Sequence, residues 1–173
     1  MAASQDEVIA FLSRPESYGP DVDRVERTET QISIVFLAGD RAYKLLRAVE
    51  LSFLDFTALE TRRRTSEAGL KLNRRMAPEL YLSVIPVTRE ADGGFALGGA
   101  GDPADYVIEM RRFDADCLFD RLLEAGRLTP ELMDRLAEKV DAFHAAETPV
   151  IGGEAGGPEA LRRVLENLSL IHI

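Results

Sequence analysis

Cysteine is almost absent: Cys117 is the only one in 173 residues. A lone thiol closes no intramolecular disulfide and excludes a zinc cage of three or four thiolates, so nothing here requires an oxidising compartment. Long apolar runs are missing too. No stretch approaches the roughly 18 consecutive apolar residues of a membrane-spanning helix. The first twelve residues are acidic and lack the basic start and apolar run of a secretory signal. Positive charge is in deficit, with 21 Lys plus Arg against 30 Asp plus Glu and a formal net charge of -9. That balance disfavours nonspecific attraction to nucleic-acid backbones and anionic lipid surfaces. These deficits predict a cytoplasmic protein with neither a nucleic-acid nor a membrane partner.

What is present is enough to bury a core: 46% of residues are hydrophobic and 29% charged, far from the composition of disordered chains. Val8, Ile9, Phe11 and Leu12 recur at helical spacing over 5–13, before Arg14-Pro15 ends the helix. The β-branched and aromatic run 31–37, the pair Gly39-Asp40 and the run 41–47 predict a β-hairpin closed by a tight turn. Thr57 and Glu60 have capping-box spacing, in which hydroxyl and carboxylate satisfy free backbone N–H groups, and predict a helix over 57–76 halted by Ala77-Pro78. The run 81–87 reads as a strand whose Pro86 calls for an edge position or a bulge. Residues 90–105, with five glycines, read as a hairpin loop, and 106–110 as another strand.

Only helices follow. One covers 118–124 with Gly126 in its C-terminal left-handed position. Another is opened by Thr129-Pro130 and striped by Leu132, Met133, Leu136, Val140 and Phe143. After a flexible link over 152–158, a last helix is expected over 159–168. The order predicts an α+β chain: a small lobe of antiparallel sheet plus helix, followed by a helical lobe.

Lys44 is the most informative residue. Strand alternation puts it on one face with Ala42 and Leu46, with Tyr43 and Leu45 opposite. One reading is a snorkelling lysine whose stem covers the sheet while its ammonium reaches water. The other is a lysine that grips phosphate, because Ala42-Tyr43-Lys44 has the Ala-x-Lys form of the kinase strand motif.

The run 30–45, Phe53-Leu54-Asp55-Phe56, Leu72-Asn73-Arg74-Arg75-Met76-Ala77-Pro78, Tyr81-Leu82, Met110-Arg111-Arg112-Phe113 and Phe143-His144-Ala145 together resemble the aminoglycoside phosphotransferase-like, protein-kinase-like family. More narrowly, they are similar to bacterial proteins in which such a domain precedes a P-loop ATPase domain. The resemblance spans about 28–168. It implies a kinase-like N-lobe over 21–113 after an N-terminal helix and turn (1–20), and a partial helical C-lobe over 114–167. It also implies ATP with Mg²⁺ beneath the sheet. Lys44 would meet the α- and β-phosphates and Ala42 would leave room for the adenine ring. Backbone groups of the connector, Met110, Arg111 and Phe113 among them, would face the adenine edge, with Met110 near the gatekeeper position. The acceptor would be an unidentified small-molecule hydroxyl.

Two departures stand out. The position that aligns with the glutamate expected to pair with Lys44 is Gly69, and Glu67 lies about 200° around the helix from it. No glycine-rich loop precedes the lysine strand, since 28–33 contains no glycine. A larger gap is the lack of any His-Gly-Asp or Asp-Phe-Gly-like triplet, so no catalytic residue and no metal ligand is assigned. The expectation is a truncated chain, inactive alone, whose covalent remainder would carry the rest of the C-lobe and the P-loop ATPase domain. The apolar 168–173 continue no helical period and read as a non-native tail. The alternative is a noncatalytic, kinase-like binding or regulatory module.

Other signals are weaker. Arg62, Arg63, Arg64, Lys71, Arg74 and Arg75 read as a solvated helix face rather than a nucleic-acid patch. Asp114, Asp116 and Asp120 read as dipole-complementing acids at a helix start rather than metal ligands. His144 reads as a packed or capping histidine, and Cys117 as a small core residue.

Overall fold

The computed structural model describes residues 4–148 and 157–171. Most of the expected link over 152–158, and the last two residues of the expected tail, lie outside the described residues. The chain divides into two units, Met1–Leu128 and Thr129–Ile173.

The first unit opens with α1 (Gln5–Leu12), started by a capping box. The Ser4 hydroxyl accepts from Glu7 N–H, and the Glu7 carboxylate accepts from Ser4 N–H. A 3₁₀ turn over Pro15–Tyr18 follows. Six antiparallel strands then form one sheet: β1 (Val25–Glu29), β2 (Ser33–Ala38), β3 (Arg41–Leu46), β6 (Tyr81–Arg89), β7 (Phe95–Leu97) and β8 (Asp102–Arg111). Their order is β1-β2-β3-β8-β6-β7. A two-stranded ribbon, β4 (Glu50–Leu51) and β5 (Leu54–Asp55), precedes α2 (Leu59–Asn73). After β8 come a 3₁₀ turn (Ala115–Cys117) and α3 (Phe119–Glu124). The second unit contains α4 (Pro130–Ala146) and α5 (Pro158–Ile171). The α+β class read from the sequence is thus borne out.

Local chemistry explains most boundaries. The β2–β3 hairpin closes at Gly39-Asp40, and Gly39 has φ 57°, a left-handed conformation that glycine adopts without a Cβ penalty. α3 ends as a Schellman motif: Gly126 N–H donates to Leu123 O and Arg127 N–H to Leu122 O. Thr129 caps α4 by accepting from Leu132 N–H.

Two expected boundaries shift, and the expectation for Pro86 is met. The 90–105 segment is not one loop, because β7 forms within it and β8 starts at Asp102. Pro86 does not lie on the sheet's outermost strand, yet β7 pairs only with Val87, Thr88 and Arg89, and the β6–β8 register shifts between Val87 and Thr88. The proline therefore sits beside a bulge, where the ladder tolerates a missing donor. α5 runs through Ile171, so the first part of the expected non-helical tail is helical. Nothing between Glu159 and Ile171 is a helix breaker.

The core lies on the sheet face that presents Ile34, Phe36, Tyr43, Leu45 and Val107, against Val8 and Leu12 of α1. Full burial of a side chain such as Phe36 or Leu12 contributes about 1.5–3 kcal/mol each. Tyr18 packs its ring 4.8 Å from that of Tyr43 and donates to Leu12 O at 2.5 Å. Burial pushes its phenol pKa well above the usual value.

Candidate functional site

The opposite face of the sheet carries the site. Ala42 pairs with Leu37 across one ladder and Met110 across the other, and Lys44 pairs with Val35 and Ile108. Side chains directly opposite one another share a face, with Cβ atoms about 5 Å apart. Leu37, Ala42 and Met110 thus form one row, and Val35, Lys44 and Ile108 the next. The first row borders a cavity of about 330 Å³, lined also by Thr28, Val35, Leu80, Arg111, Phe113 and Leu118. Ala42, Met110, Arg111 and Phe113, named from the sequence, therefore line a single cavity. Lys44 is not among its lining residues. It stands one row inward, beside the wall residue Val35, half-buried, and its ammonium makes no hydrogen bond or ion pair with any described residue.

The connector continues the β8 ladder. Arg112 N–H donates to Asp40 O at 2.9 Å and Arg111 N–H donates to Leu80 O at 2.8 Å. The next amide, that of Phe113, has no protein partner among the described residues. The Arg112 guanidinium holds Glu26 of β1 at 3.1 Å. Hydrogen bonds from Arg24 and then Arg112 keep the Glu26 carboxyl below its ordinary pKa. The connector is thus tied to the β2–β3 turn through Asp40 and to β1 through Glu26.

α2 crosses this face, and a Cβ built at Gly69 would lie 3.8 Å from Ile108 Cδ1, an ordinary contact. Position 69 therefore faces the strand pair that holds Lys44, yet supplies no carboxylate. Glu67 is exposed and salt-bridged to Arg63 at 2.7 Å, and Glu60 binds Arg63 at 2.7 Å and Arg64 at 2.8 Å. Neither is available to Lys44. The β1–β2 loop lacks glycine and is held by side chains instead. Thr30 Oγ1 accepts from Ser33 N–H, and the Arg47 guanidinium donates to Thr30 O.

Three readings of single residues are corrected. Arg62 does not belong to a solvated face: it is 5% exposed and its Nε donates to both oxygens of the fully buried Asp105, at 3.0 and 3.2 Å. Its Nη1 donates to Phe56 O and Thr57 O. That demand also displaces the expected cap. Thr57 N–H and hydroxyl both bind Asp55 Oδ1, so α2 starts at Leu59 with Ala58 in the cap position and no side-chain cap. Cys117 is exposed, because the short turn carrying it turns the thiol away from the core.

The remaining candidates have local roles. Arg74 of the expected solvated cluster donates to Tyr81 O and Leu82 O. Asp114 caps its turn through Asp116 N–H, and Asp120 accepts from Arg121 N–H. His144 lies in the last turn of α4 with its ring 5.9 Å from that of Phe143. Among the described residues no group of three or more His, Cys, Asp or Glu is gathered as a metal site, and no helix is long and apolar enough to cross a membrane.

What these features define is an α+β unit with an apolar cavity at one end of a sheet face and an unpaired lysine beside it. Relatives share this stretch of sequence without naming its role. Uncharacterized proteins of Mycobacterium tuberculosis and Mycobacterium bovis are each 30% identical to the chain over 147 residues, 84% of its length. The match is 28% of either relative, so the chain spans under a third of the curated proteins it is similar to. No family model matches the chain, and no solved structure does.

Proposed function

We propose that the chain forms the ATP-binding part of a protein-kinase-like, aminoglycoside-phosphotransferase-like protein, working in the cytoplasm and serving transfer to a small-molecule hydroxyl. The observation that carries this reading is a coincidence of two independent facts. Ala42, Met110, Arg111 and Phe113 were singled out by sequence, and all four line one apolar cavity beside Lys44. The cavity's apolar walls suit the faces of an adenine ring, and the unpartnered Phe113 amide suits an acceptor on its edge. Lys44 would reach the phosphates as a point charge. Among the described residues no group of three or more His, Cys, Asp or Glu is gathered to hold Mg²⁺.

A second reading has its own support. Gly69 facing Ile108, with Glu60 and Glu67 engaged elsewhere, leaves Lys44 without a carboxylate among the described residues. A noncatalytic, kinase-like binding or regulatory module fits that arrangement. Thermal unfolding of the chain with and without millimolar Mg-ATP tests nucleotide binding, since a ligand at 100 times its Kd adds about 2.7 kcal/mol. The expected result is a rise in Tm that Lys44→Ala removes. No rise in the folded wild-type chain would refute ATP binding.

A further inference from the structure

A polar chain, buried at Asp105 and Arg62 and half-buried at Gln5, runs from α1 to α2 through the end of the sheet. Gln5 uses its whole amide. Nε2 donates to Leu46 O at 2.9 Å and Asp105 Oδ2 at 2.8 Å, and Oε1 accepts from Ala48 N–H at 2.6 Å. Asp105 is fully buried, accepts from Tyr106 N–H, and holds Arg62. Arg62 in turn fixes the carbonyls of Phe56 and Thr57, the segment that enters α2. One end of this chain is Leu46, two residues beyond Lys44 on β3; the other is the helix that passes over Ile108, the strand partner of Lys44.

We infer that Gln5, Asp105 and Arg62 are positioning residues that hold α2 over the strand carrying Lys44, so that docking of α1 sets the strength of ligand binding at the cavity. The physical reason is the burial of Asp105. A desolvated carboxylate tolerates few orientations, and the Gln5 amide selects the one in which both oxygens meet Arg62. None of the three residues lines the cavity, so any effect on binding must pass through α2 or β3. The binding half of this inference rests on the ATP reading above; the coupling of α1 to α2 does not.

The test is Gln5→Ala, which leaves the Arg62–Asp105 pair in place, and Gln5→Glu, which keeps the acceptor for Ala48 but sets a second carboxylate beside Asp105. Hydrogen exchange of the intact chain should show amides of α2 opening about fivefold faster or more in either variant, relative to those around Val107. The Kd for Mg-ATP should rise as the inverse of the fraction of molecules that keep α2 in place, about twofold where half have lost it. Faster exchange confined to α1 and residues 46–48 would overturn the inference, and so would unchanged ATP affinity in a variant whose α2 is open in half of the molecules or more. Faster α2 exchange in a chain that binds no ATP would sink the ATP reading and uphold the coupling.

Discussion

Among the described residues, Arg62 is the only charge that balances Asp105, and replacing it by leucine removes it. In the folded chain Asp105 has no exposed surface and would keep, among the described residues, Gln5 and the Tyr106 amide as donors. Breaking a buried pair by removing one partner costs about 3–5 kcal/mol. The whole stability of a domain of this size is about 5–15 kcal/mol, so Arg62→Leu is expected to lose about a fifth of it or more. Arg62→Leu combined with Asp105→Leu replaces the pair by apolar groups and should lie within about 2 kcal/mol of wild type, because swapping a whole buried pair is often neutral. Urea unfolding of the three variants gives the coupling energy directly. Singles within about 1 kcal/mol of wild type, or a double variant equal to the sum of the singles, would refute the claim that these two charges balance each other.

Three further outcomes follow from single positions. Gly101→Ala should destabilise by about 2 kcal/mol or more, since its Cβ would overlap the Arg89 carbonyl, a backbone group that cannot step aside; a neutral result in urea unfolding would contradict the packing at the start of β8. Ser66→Ala should be neutral or stabilising by about 1 kcal/mol, because the Ser66 hydroxyl is fully buried and has no hydrogen-bond partner among the described residues; a loss of about 2 kcal/mol would reveal a partner. Hydrogen bonds from Arg63 and then Arg64 hold the Glu60 carboxyl at about 2 rather than 4.5. Its folded pKa is the lower one, so its contribution is complete above 4.5 and disappears as pH falls toward about 2. A carboxyl NMR titration of Glu60 with its midpoint near 4.5 would contradict that arrangement.

The parts of the fold legible in the sequence are those set by neighbours in the chain. Gly39-Asp40 announces its turn, Thr129-Pro130 its helix start, and the alternation around Lys44 its face. Ala42, Met110, Arg111 and Phe113, which come from β3, β8 and the connector, were grouped only through the family resemblance, since nothing local in the chain reveals that β3 and β8 pair. What stayed hidden depended on distant partners. β1 reads Val-Glu-Arg-Thr-Glu, a charged edge strand whose existence rests on pairing with β2. Arg62 sits in a run of three arginines and looks solvated, since nothing local reveals that Asp105, 43 residues on, is buried against it. The same interaction shifted the cap from Thr57, whose carbonyl serves Arg62 and whose hydroxyl serves Asp55.

The central claim is that the cavity beside Lys44 is where a nucleotide binds. Backbone amide NMR shifts recorded while Mg-ATP is titrated into the chain test it most directly. The account predicts saturable shifts at Ala42, Lys44, Arg111 and Phe113, with little change at Glu16 and Val22, which line the pocket next to the first 3₁₀ turn. Shifts gathered at that second pocket instead, or no saturable shifts in a folded chain, would contradict it.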